Sequence, residues 1–578
     1  MTIHLTNLER LGRQPVNRRT RRYLVKHARI SAKEEEFIRR LIKKAIYKCC
    51  DPELADKAIN GYRRSATDPD AGEEDFLRTD QPYHDMPRDF HYQKALRVVE
   101  KLFRPKRRLK PIAFPDLRYY PWSLSVSAEA PFIESAYWQR VVRQKAAEGE
   151  IDTDRMSFHN LYNEIFHINR QLVHDIKYGR KPFWNEKGEP VPYEYTSLHS
   201  RAHMVKTEKD DKIRAVFGVP KLLLMVENMF IWNIQREYLN AKPGTYPMLW
   251  GFETIRGGWM KLMSHINKKF FSTLVSADWS GFDHKALHEV IDDIHKMWRS
   301  WFDFDQGYEP SKSDTHDYTD TKSREKQIQR LWDWMCHAIK HTPIKAESGN
   351  MYRWRFNGIA SGFQQTQLLD SFVNAIYLLT MLSELGVDIE SDDFQLFVQG
   401  DDSVTAFPEH VPDIPEFLSR GAKIAKRRFN ADLSDDKTTA GEWFDAIEVL
   451  SYGTCAGIAK RDPAELIAHL LYPERPRRPG ETAAAAAGIA QAAMGCSIQV
   501  YNVCKDVYDF LTKTLKIEPI WKEFDPNRPT PYQLNIQEFP TYEQTYAQNY
   551  DYRERTESDR NRLWPTRPTG NGFHFLNS

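Results

Sequence analysis

The sequence predicts a fold of the α+β class, with helix-rich segments on both sides of a central unit of helices and strands. Strand-like and helix-like segments alternate over residues 268–453, as in an α/β or α+β unit. Residues 34–47 have helical periodicity, and residues 456–515 look largely helical. With 578 residues, 41% of them hydrophobic, the chain is long enough for a large core and several subdomains.

The N-terminal segment carries a concentrated positive charge, although the formal net charge of the whole chain is only +2. Residues 1–48 contain fourteen Lys and Arg against four Glu, and further basic runs lie at 104–110 and 475–478. Such runs fit contact with a phosphate backbone, although solvated protein surfaces have the same composition.

The cysteines and the apolar segments indicate the compartment. The six cysteines have neither metal-ligand spacing nor the pattern of a secreted disulfide framework, which favours a reducing environment. The basic N-terminus is not followed by an apolar signal segment. The longest apolar stretch, 222–234, is interrupted by Glu227, Asn228 and Asn233 and is too short to span a bilayer. We therefore expect a soluble intracellular protein.

The first acidic segment follows a predicted buried strand over residues 271–277. Asp278 stands where this strand ends, and Asp283 follows five residues later. A carboxylate fixed at the end of a strand can hold a divalent cation. An aspartate that caps a helix starting near Lys285 is an equally good interpretation of this segment alone.

The second acidic segment, residues 394–407, predicts a β-hairpin whose tight turn follows Gly400 and carries Asp401 and Asp402. Two adjacent like charges at a turn repel each other and have no evident folding advantage. A bound metal ion would relieve that repulsion, although an ordinary Asp-containing turn is the alternative.

Residues 361–382 predict a flexible Ser361-Gly362 loop that leads into a helix. Thr366, Asp370 and Asn374 recur at a spacing of four, so they form one polar stripe on that helix. Such a stripe is usually the solvent-facing side, and it indicates function only if it faces the acids.

A cationic segment, KTEKDDKIR at 206–214, precedes both acidic segments. Its default interpretation is a solvated charged strand. The functional interpretation is a patch that binds a triphosphate, for which the Arg214 guanidinium is suited by its bidentate geometry.

In this order, the four segments resemble motifs F, A, B and C of viral RNA-dependent RNA polymerases, in particular those of the partitiviruses, which have segmented double-stranded RNA genomes. The resemblance covers residues 110–460, and ADWSGFD and VQGDDS are similar to the alphapartitivirus branch. It extends upstream to 116–132 and downstream to 450–453, where motif E should lie.

The resemblance implies a closed right hand of fingers, palm and thumb, with an antiparallel-sheet palm. Asp278 and Asp401 would hold two Mg²⁺ ions, with Mn²⁺ as an alternative, and Asp402 would be a weaker ligand. Lys437 would be a candidate proton donor to the leaving pyrophosphate.

The same resemblance implies the contacts to the nucleotide and the template. Asp283 and Asn374 would recognise the ribose 2′-hydroxyl, with Thr366 supporting them. The Ser361-Gly362 loop would let the template backbone pass during translocation. The triphosphate would be bound by three cations, Lys206, Lys212 and Arg214.

The resemblance implies RNA template and product, nucleoside triphosphates and a viral capsid protein as partners, and no membrane. It implies a location in the virion interior and the host cytoplasm.

A reverse transcriptase is one alternative function, but it would normally have a bulky aromatic residue where Asp283 stands. A non-catalytic RNA-binding virion component is the other alternative, but such a protein has no reason to keep these acids.

The expected division of the chain into domains is a basic helical extension (1–110), fingers (111–266), palm (267–300), a fingers insertion (301–357), palm (358–455), a helical thumb (456–540) and a C-terminal tail (541–578).

Overall fold

A computed structural model gives the fold, and it describes residues 5–16, 30–65, 69–211, 213–309, 321–434, 437–521, 537–552 and 556. Helices and strands alternate through the chain, and nearly all strand pairs are antiparallel. The α-helices are Ala32–Cys49, Pro52–Asn60, Pro69–Leu77, Phe90–Phe103, Ala136–Ala147, Tyr162–Lys177, Lys221–Asn228, Ile231–Asn240, Gly258–Ile266, Phe282–Lys285, His288–Ser300, Thr321–His341, Thr366–Glu384, Ile414–Phe429, Pro463–Leu471, Pro479–Ala492, Ile498–Asp509 and Tyr542–Ala547.

The central sheet has four antiparallel strands, in the spatial order Gln395–Gln399, Asp402–Phe407, Thr273–Ser276 and Thr439–Gly441. Strand Thr273–Ser276 is buried along its whole length, which explains its aliphatic and β-branched composition. Helix Thr366–Glu384 is buried over almost its entire surface and packs against this sheet. A helix that is apolar nearly all round requires such a central position.

A second sheet has five strands, in the order Leu8–Arg13, Asn350–Trp354, Ile344–Lys345, Thr196–Arg201 and Arg214–Gly218. The sequence pattern did not predict its N-terminal strand, because LERLGR lacks the apolar alternation of a half-buried strand.

Side-chain hydrogen bonds fix this N-terminal strand. The Asn7 side chain bonds to the backbone of residues 355–357, and the Asp80 carboxylate accepts hydrogen bonds from the backbone N–H groups of Asn7 and Leu8. Part of the segment predicted to be a helical extension is therefore an edge strand.

A second hydrophobic core is mainly helical, with Tyr62 and Met204 contributed by two short strands. Helices Ala32–Cys49 and Pro52–Asn60 pack against Pro463–Leu471, Pro479–Ala492 and Ile498–Asp509. The predicted helix at 34–47 is confirmed, and so is most of the helical prediction for 456–515.

The exception is a two-stranded hairpin, Gly453–Cys455 with Ile458–Lys460, at the start of that region. Its turn residues Ala456 and Gly457 both have positive φ, a conformation that ends a helix. The remaining short strands are Tyr62–Arg64, Met204–Lys206, Trp279–Ser280 and Asp432–Leu433.

Among the described residues, every helix is too short or too polar to cross a lipid bilayer. The six cysteines are all free thiols.

Candidate active site

The central sheet brings the predicted acids together. Strands Thr273–Ser276 and Asp402–Phe407 are antiparallel, with Val275 opposite Thr405, so the end of the first lies beside the start of the second. Asp278 and Asp401 therefore stand at the same end of the sheet. Both line one open cavity of about 660 Å³, together with Asp283, Asp402, Arg214 and Lys437.

Backbone hydrogen bonds hold Asp278 in place. Its N–H donates to the Thr438 hydroxyl at 3.3 Å, and its carbonyl accepts from the Ser434 N–H at 2.8 Å. Neither of the next two helices, Phe282–Lys285 and His288–Ser300, is capped by a side chain of the described residues. The helix-cap interpretation of this segment is therefore wrong. The Lys437 ammonium lies 3.6 Å from the Asp278 carboxylate and is largely exposed.

The predicted hairpin is present, with Gln399 opposite Asp402 across the Gly400-Asp401 turn. Gly400 has a φ of +62°, where a side chain would introduce strain. Its N–H donates to the Ser371 hydroxyl of the buried helix at 2.8 Å. The turn is thus fastened to helix Thr366–Glu384.

Asn374 fastens the same turn from the next helical turn. Its amide NH₂ donates to the carbonyls of Gly400 and Asp402, at 3.0 and 3.2 Å, and its oxygen accepts from the Trp279 indole at 2.8 Å. Thr366, Asp370 and Asn374 are all buried, so the solvent-face interpretation of the polar stripe is wrong. The predicted sugar contact of Asn374 stays a prediction; both amide hydrogens are already donated, which leaves the second lone pair of the amide oxygen for a ribose hydroxyl.

Burial and neighbouring negative charges raise the pKa values of three of the acids. Burial first, and then the charges of Asp401 and Asp278, raise the pKa of Asp402 to about 7. The Leu450 N–H donates to the Asp402 carboxylate and opposes this shift. Leu450 and Ser451 form a tight turn with φ of 53° and 64°, which is strained for a leucine and lines the cavity.

Asp283 and Asp370 form a hydrogen-bonded pair of carboxyl groups. Burial and the Asp401 charge raise the pKa of Asp283 to about 6, although its bond with Asp370 acts in the opposite direction. Burial and the charge of Asp283 raise the pKa of Asp370 well above its ordinary value. Two carboxyl groups can form a hydrogen bond only if at least one of them is protonated, so the pair carries at most one negative charge. Asp370 was part of the predicted polar stripe but was not a predicted site residue.

The Ser361-Gly362 loop lies outside the lining of the acid cavity. Ser361 is exposed, and a Cβ on Gly362 would lie 2.2 Å from the Phe217 carbonyl oxygen, so only glycine fits there. The Thr366 hydroxyl donates to the Ala360 carbonyl at 2.7 Å, which closes the loop onto the helix.

Glu227 anchors the residues between this loop and the helix. Its carboxylate accepts from the backbone N–H groups of Gln364 and Gln365, at 3.3 and 3.2 Å, and from the Gln365 side chain at 3.0 Å. Complete burial raises the pKa of Glu227 to about 8. The sequence marked Glu227 only as an interruption of an apolar run.

The residues of the predicted cationic patch, 206–214, do not all lie together in the structure. Arg214 lines the acid cavity. Lys206 is exposed on the short strand paired with Tyr62–Arg64, and it is not among the described residues that line the cavity. Lys212 lies outside the described residues. The cavity is also lined by four charged or titratable residues that the sequence did not single out: His203, His284, Glu448 and Glu465.

The carboxylates fit a hard metal ion by their chemistry and by their mutual repulsion. The described residues contain no cluster of three or more His, Cys, Asp and Glu that could hold a metal ion by itself. Mg²⁺ normally keeps several waters and shares its shell with substrate phosphates, so one or two carboxylates are sufficient protein ligands.

Comparisons with known proteins agree on one family. The family model described as viral RNA-dependent RNA polymerase matches residues 154–452. The RNA-directed RNA polymerase of White clover cryptic virus 1 (isolate Boccardo/2004) is 29% identical over 563 residues, which cover 87% of this chain and 88% of that protein. The RNA-directed RNA polymerase of Atkinsonella hypoxylon virus (isolate 2H) is 28% identical over 443 residues, 69% of this chain and 64% of that protein.

Proposed function

Because the chain belongs to the viral RNA-dependent RNA polymerase family, we propose that it synthesises RNA on an RNA template from nucleoside triphosphates. One observation supports particular residues for this activity. Antiparallel pairing of the two central strands places Asp278 and Asp401 at the same end of the sheet, in one cavity with Arg214. The matched region, residues 154–452, includes all of these residues.

Asp278 and Asp401 are the proposed protein ligands of two divalent metal ions, Mg²⁺ or Mn²⁺, with Asp402 as a weaker ligand. Bound there, the ions would activate the 3′-hydroxyl of the growing strand and neutralise charge on the triphosphate. The raised pKa of Asp402 supports this role, because burial and, after it, the charges of Asp401 and Asp278 raise it, and a bound cation would offset that repulsion.

The nucleotide is proposed to bind between the acids and the cations. Arg214, Lys206 and Lys212 bind the triphosphate, and phosphoryl transfer needs chiefly this alignment and charge stabilisation. Lys437 donates a proton to the leaving pyrophosphate, since its ammonium lies beside Asp278 in the cavity. Asp283 accepts a hydrogen bond from the ribose 2′-hydroxyl, which distinguishes ribonucleotides from deoxyribonucleotides.

The buried helix and its preceding loop are proposed to serve the template and the sugar. Ser361 and Gly362 contact the passing template backbone. Thr366 keeps this loop closed onto the helix through its bond to Ala360. Asn374 supports the sugar site, chiefly by fixing the turn that carries Asp401.

The fold is proposed to be the closed right hand of fingers, palm and thumb, with the central sheet as the palm and the helical core of 463–509 in the thumb. The remaining domain boundaries, the capsid partner and the location in the virion interior and host cytoplasm belong to the same proposal.

Incorporation of labelled ribonucleotide on an RNA template with Mg²⁺ tests this proposal. Asp401→Ala should abolish incorporation, because it removes a proposed metal ligand. Asp392→Ala is the matched control, since Asp392 is an exposed acid outside the cavity lining. The proposal is wrong if the intact protein incorporates no ribonucleotide, if it incorporates deoxyribonucleotides in preference, or if Asp401→Ala remains active.

A further inference from the structure

Three cationic or titratable side chains gather beside the acid cavity. Arg201 and Arg214 lie directly opposite each other on the antiparallel strands Thr196–Arg201 and Arg214–Gly218. His203 follows two residues after Arg201, and both His203 and Arg214 line the cavity. Like charges directly opposite on paired strands destabilise a sheet unless an anion compensates them.

Glu474 supplies an anion at this place. Its carboxylate lies 3.5 Å from the Arg201 guanidinium, 4.0 Å from the His203 ring and 4.0 Å from the Arg214 guanidinium. Glu474 belongs to the connection between helices Pro463–Leu471 and Pro479–Ala492 of the second core. The contact therefore joins the helical core to the five-stranded sheet.

Another anion could replace Glu474 in this contact. Glu474 and Arg201 are each about one third exposed and Arg214 is 63% exposed, so water can reach all three groups. The buried Nε of Arg201 has no hydrogen-bond partner among the described residues. A single carboxylate at 3.5–4.0 Å leaves this donor unused, whereas an anion with more oxygen atoms could reach it.

We infer that Arg201, His203 and Arg214 form a binding cluster for the triphosphate of the incoming nucleotide, and that Glu474 is a resident anion which the nucleotide displaces. This inference rests on the proposed polymerase function and adds Arg201 and His203 to its nucleotide site. A triphosphate carries several negative charges and many acceptor oxygens, so it competes favourably with one carboxylate for these groups.

Substitutions of Glu474 and of Arg201 should change triphosphate affinity in opposite directions. Glu474→Gln removes the competing charge and should tighten triphosphate binding. The exposed pairs of Glu474 with the two arginines, and with His203 when it is protonated, together correspond to roughly tenfold in affinity. Arg201→Gln removes an attractive charge and should weaken binding by a similar factor. Both effects should shrink in 1 M salt, where the screening length falls to about 3 Å.

Calorimetric titration of the full chain with inorganic tripolyphosphate, without RNA or metal, measures this directly. Glu481→Gln is the matched control, because Glu481 lies in the same part of the chain and pairs with Arg478 instead. Tighter binding by Glu474→Gln, with an unchanged control, supports the inference. Unchanged or weaker binding by Glu474→Gln, or unchanged binding by Arg201→Gln, overturns it.

A second variant and a kinetic measurement separate competition from a structural role. Glu474→Asp keeps the charge but withdraws it, so its affinity should lie between those of the intact protein and Glu474→Gln. In RNA synthesis, Glu474→Gln should lower KM for nucleotide while kcat stays unchanged, whereas loss of a purely structural contact would lower kcat. Because tripolyphosphate binding requires no catalysis, failure of the proposed polymerase function would not change its outcome.

Discussion

Replacing Asn374 by alanine would release the Gly400-Asp401 turn from the buried helix. The Asn374 amide makes three hydrogen bonds, to the Gly400 carbonyl, the Asp402 carbonyl and the Trp279 indole N–H, and it is fully buried. Alanine leaves all three partner groups without this amide while it keeps the helix intact. The variant therefore tests whether the turn that carries Asp401 depends on this side chain for its position.

The structure sets the size of the expected effect. A buried polar group that loses its partner costs about 1–3 kcal/mol, so three groups cost about 3–9 kcal/mol. We expect a loss of stability at the lower end of this range, because the adjacent cavity lets water reach the space that the amide leaves. A displacement of about 1 Å at a catalytic group can slow a reaction by about a hundredfold, and we expect a loss of this order in RNA synthesis.

Asn549 offers a closely matched control. It is also a buried asparagine with three hydrogen bonds, to the Ala459 N–H and to the carbonyls of Met494 and Tyr546, and it does not line the acid cavity. Asn549→Ala should lower the midpoint of thermal denaturation about as much as Asn374→Ala, while the folded protein keeps near-normal synthesis. If Asn374→Ala instead keeps its rate and loses only its discrimination against deoxyribonucleotides, the amide acts on the sugar and its role in positioning the turn is refuted.

Asp278→Ala should abolish RNA synthesis yet leave RNA binding in a gel-shift assay largely intact; retained synthesis would exclude Asp278 as a metal ligand. Asp283→Ala should reduce the preference for ribonucleotides more than it lowers the denaturation midpoint, and an unchanged preference in competition assays would contradict its sugar role. Because burial raises the pKa of Glu227 from 4.5 to about 8, the folded state holds this proton more tightly than the unfolded state. Stability from this group is fully present below pH 4.5 and is lost as the pH rises through about 8. Glu227→Gln should flatten that part of the pH profile of thermal stability, and a profile identical to that of the intact protein would count against the assignment.

The positions of the acids followed from local pattern. A buried run of aliphatic residues predicts the strand before Asp278, and glycine at a tight turn predicts the hairpin that carries Asp401. Both signals are local, because each lies in the same short segment as the acid concerned. The predicted antiparallel pairing of these two strands was supplied by the family resemblance, since periodicity does not identify the partner of a strand.

The supporting residues could not be predicted in the same way, because their partners are distant in sequence. Asn374 and Trp279 are 95 residues apart, and Glu227 and Gln364 are 137 apart. In the sequence, Glu227 is only a polar position within an apolar run, and the family resemblance assigns Asn374 to the sugar rather than to the turn that carries Asp401. Lys206 and Arg214 show that nearness in sequence can also mislead. They are close in sequence, but their strands pair in different sheets, so the single predicted patch is divided.

The N-terminal strand has a consequence for how the chain folds during synthesis. Leu8 pairs with Trp354, and the Asn7 side chain bonds to the backbone of residues 355–357, 350 residues away at the far end. The sheet that carries Arg214 therefore cannot be completed until residue 357 has left the ribosome, and loop closure over this length is entropically slow. Until Leu8–Arg13 has paired with it, the strand Asn350–Trp354 has an unpaired edge, which makes it a site for mispairing with another chain. A purification tag at the N-terminus would lie next to this late-forming contact.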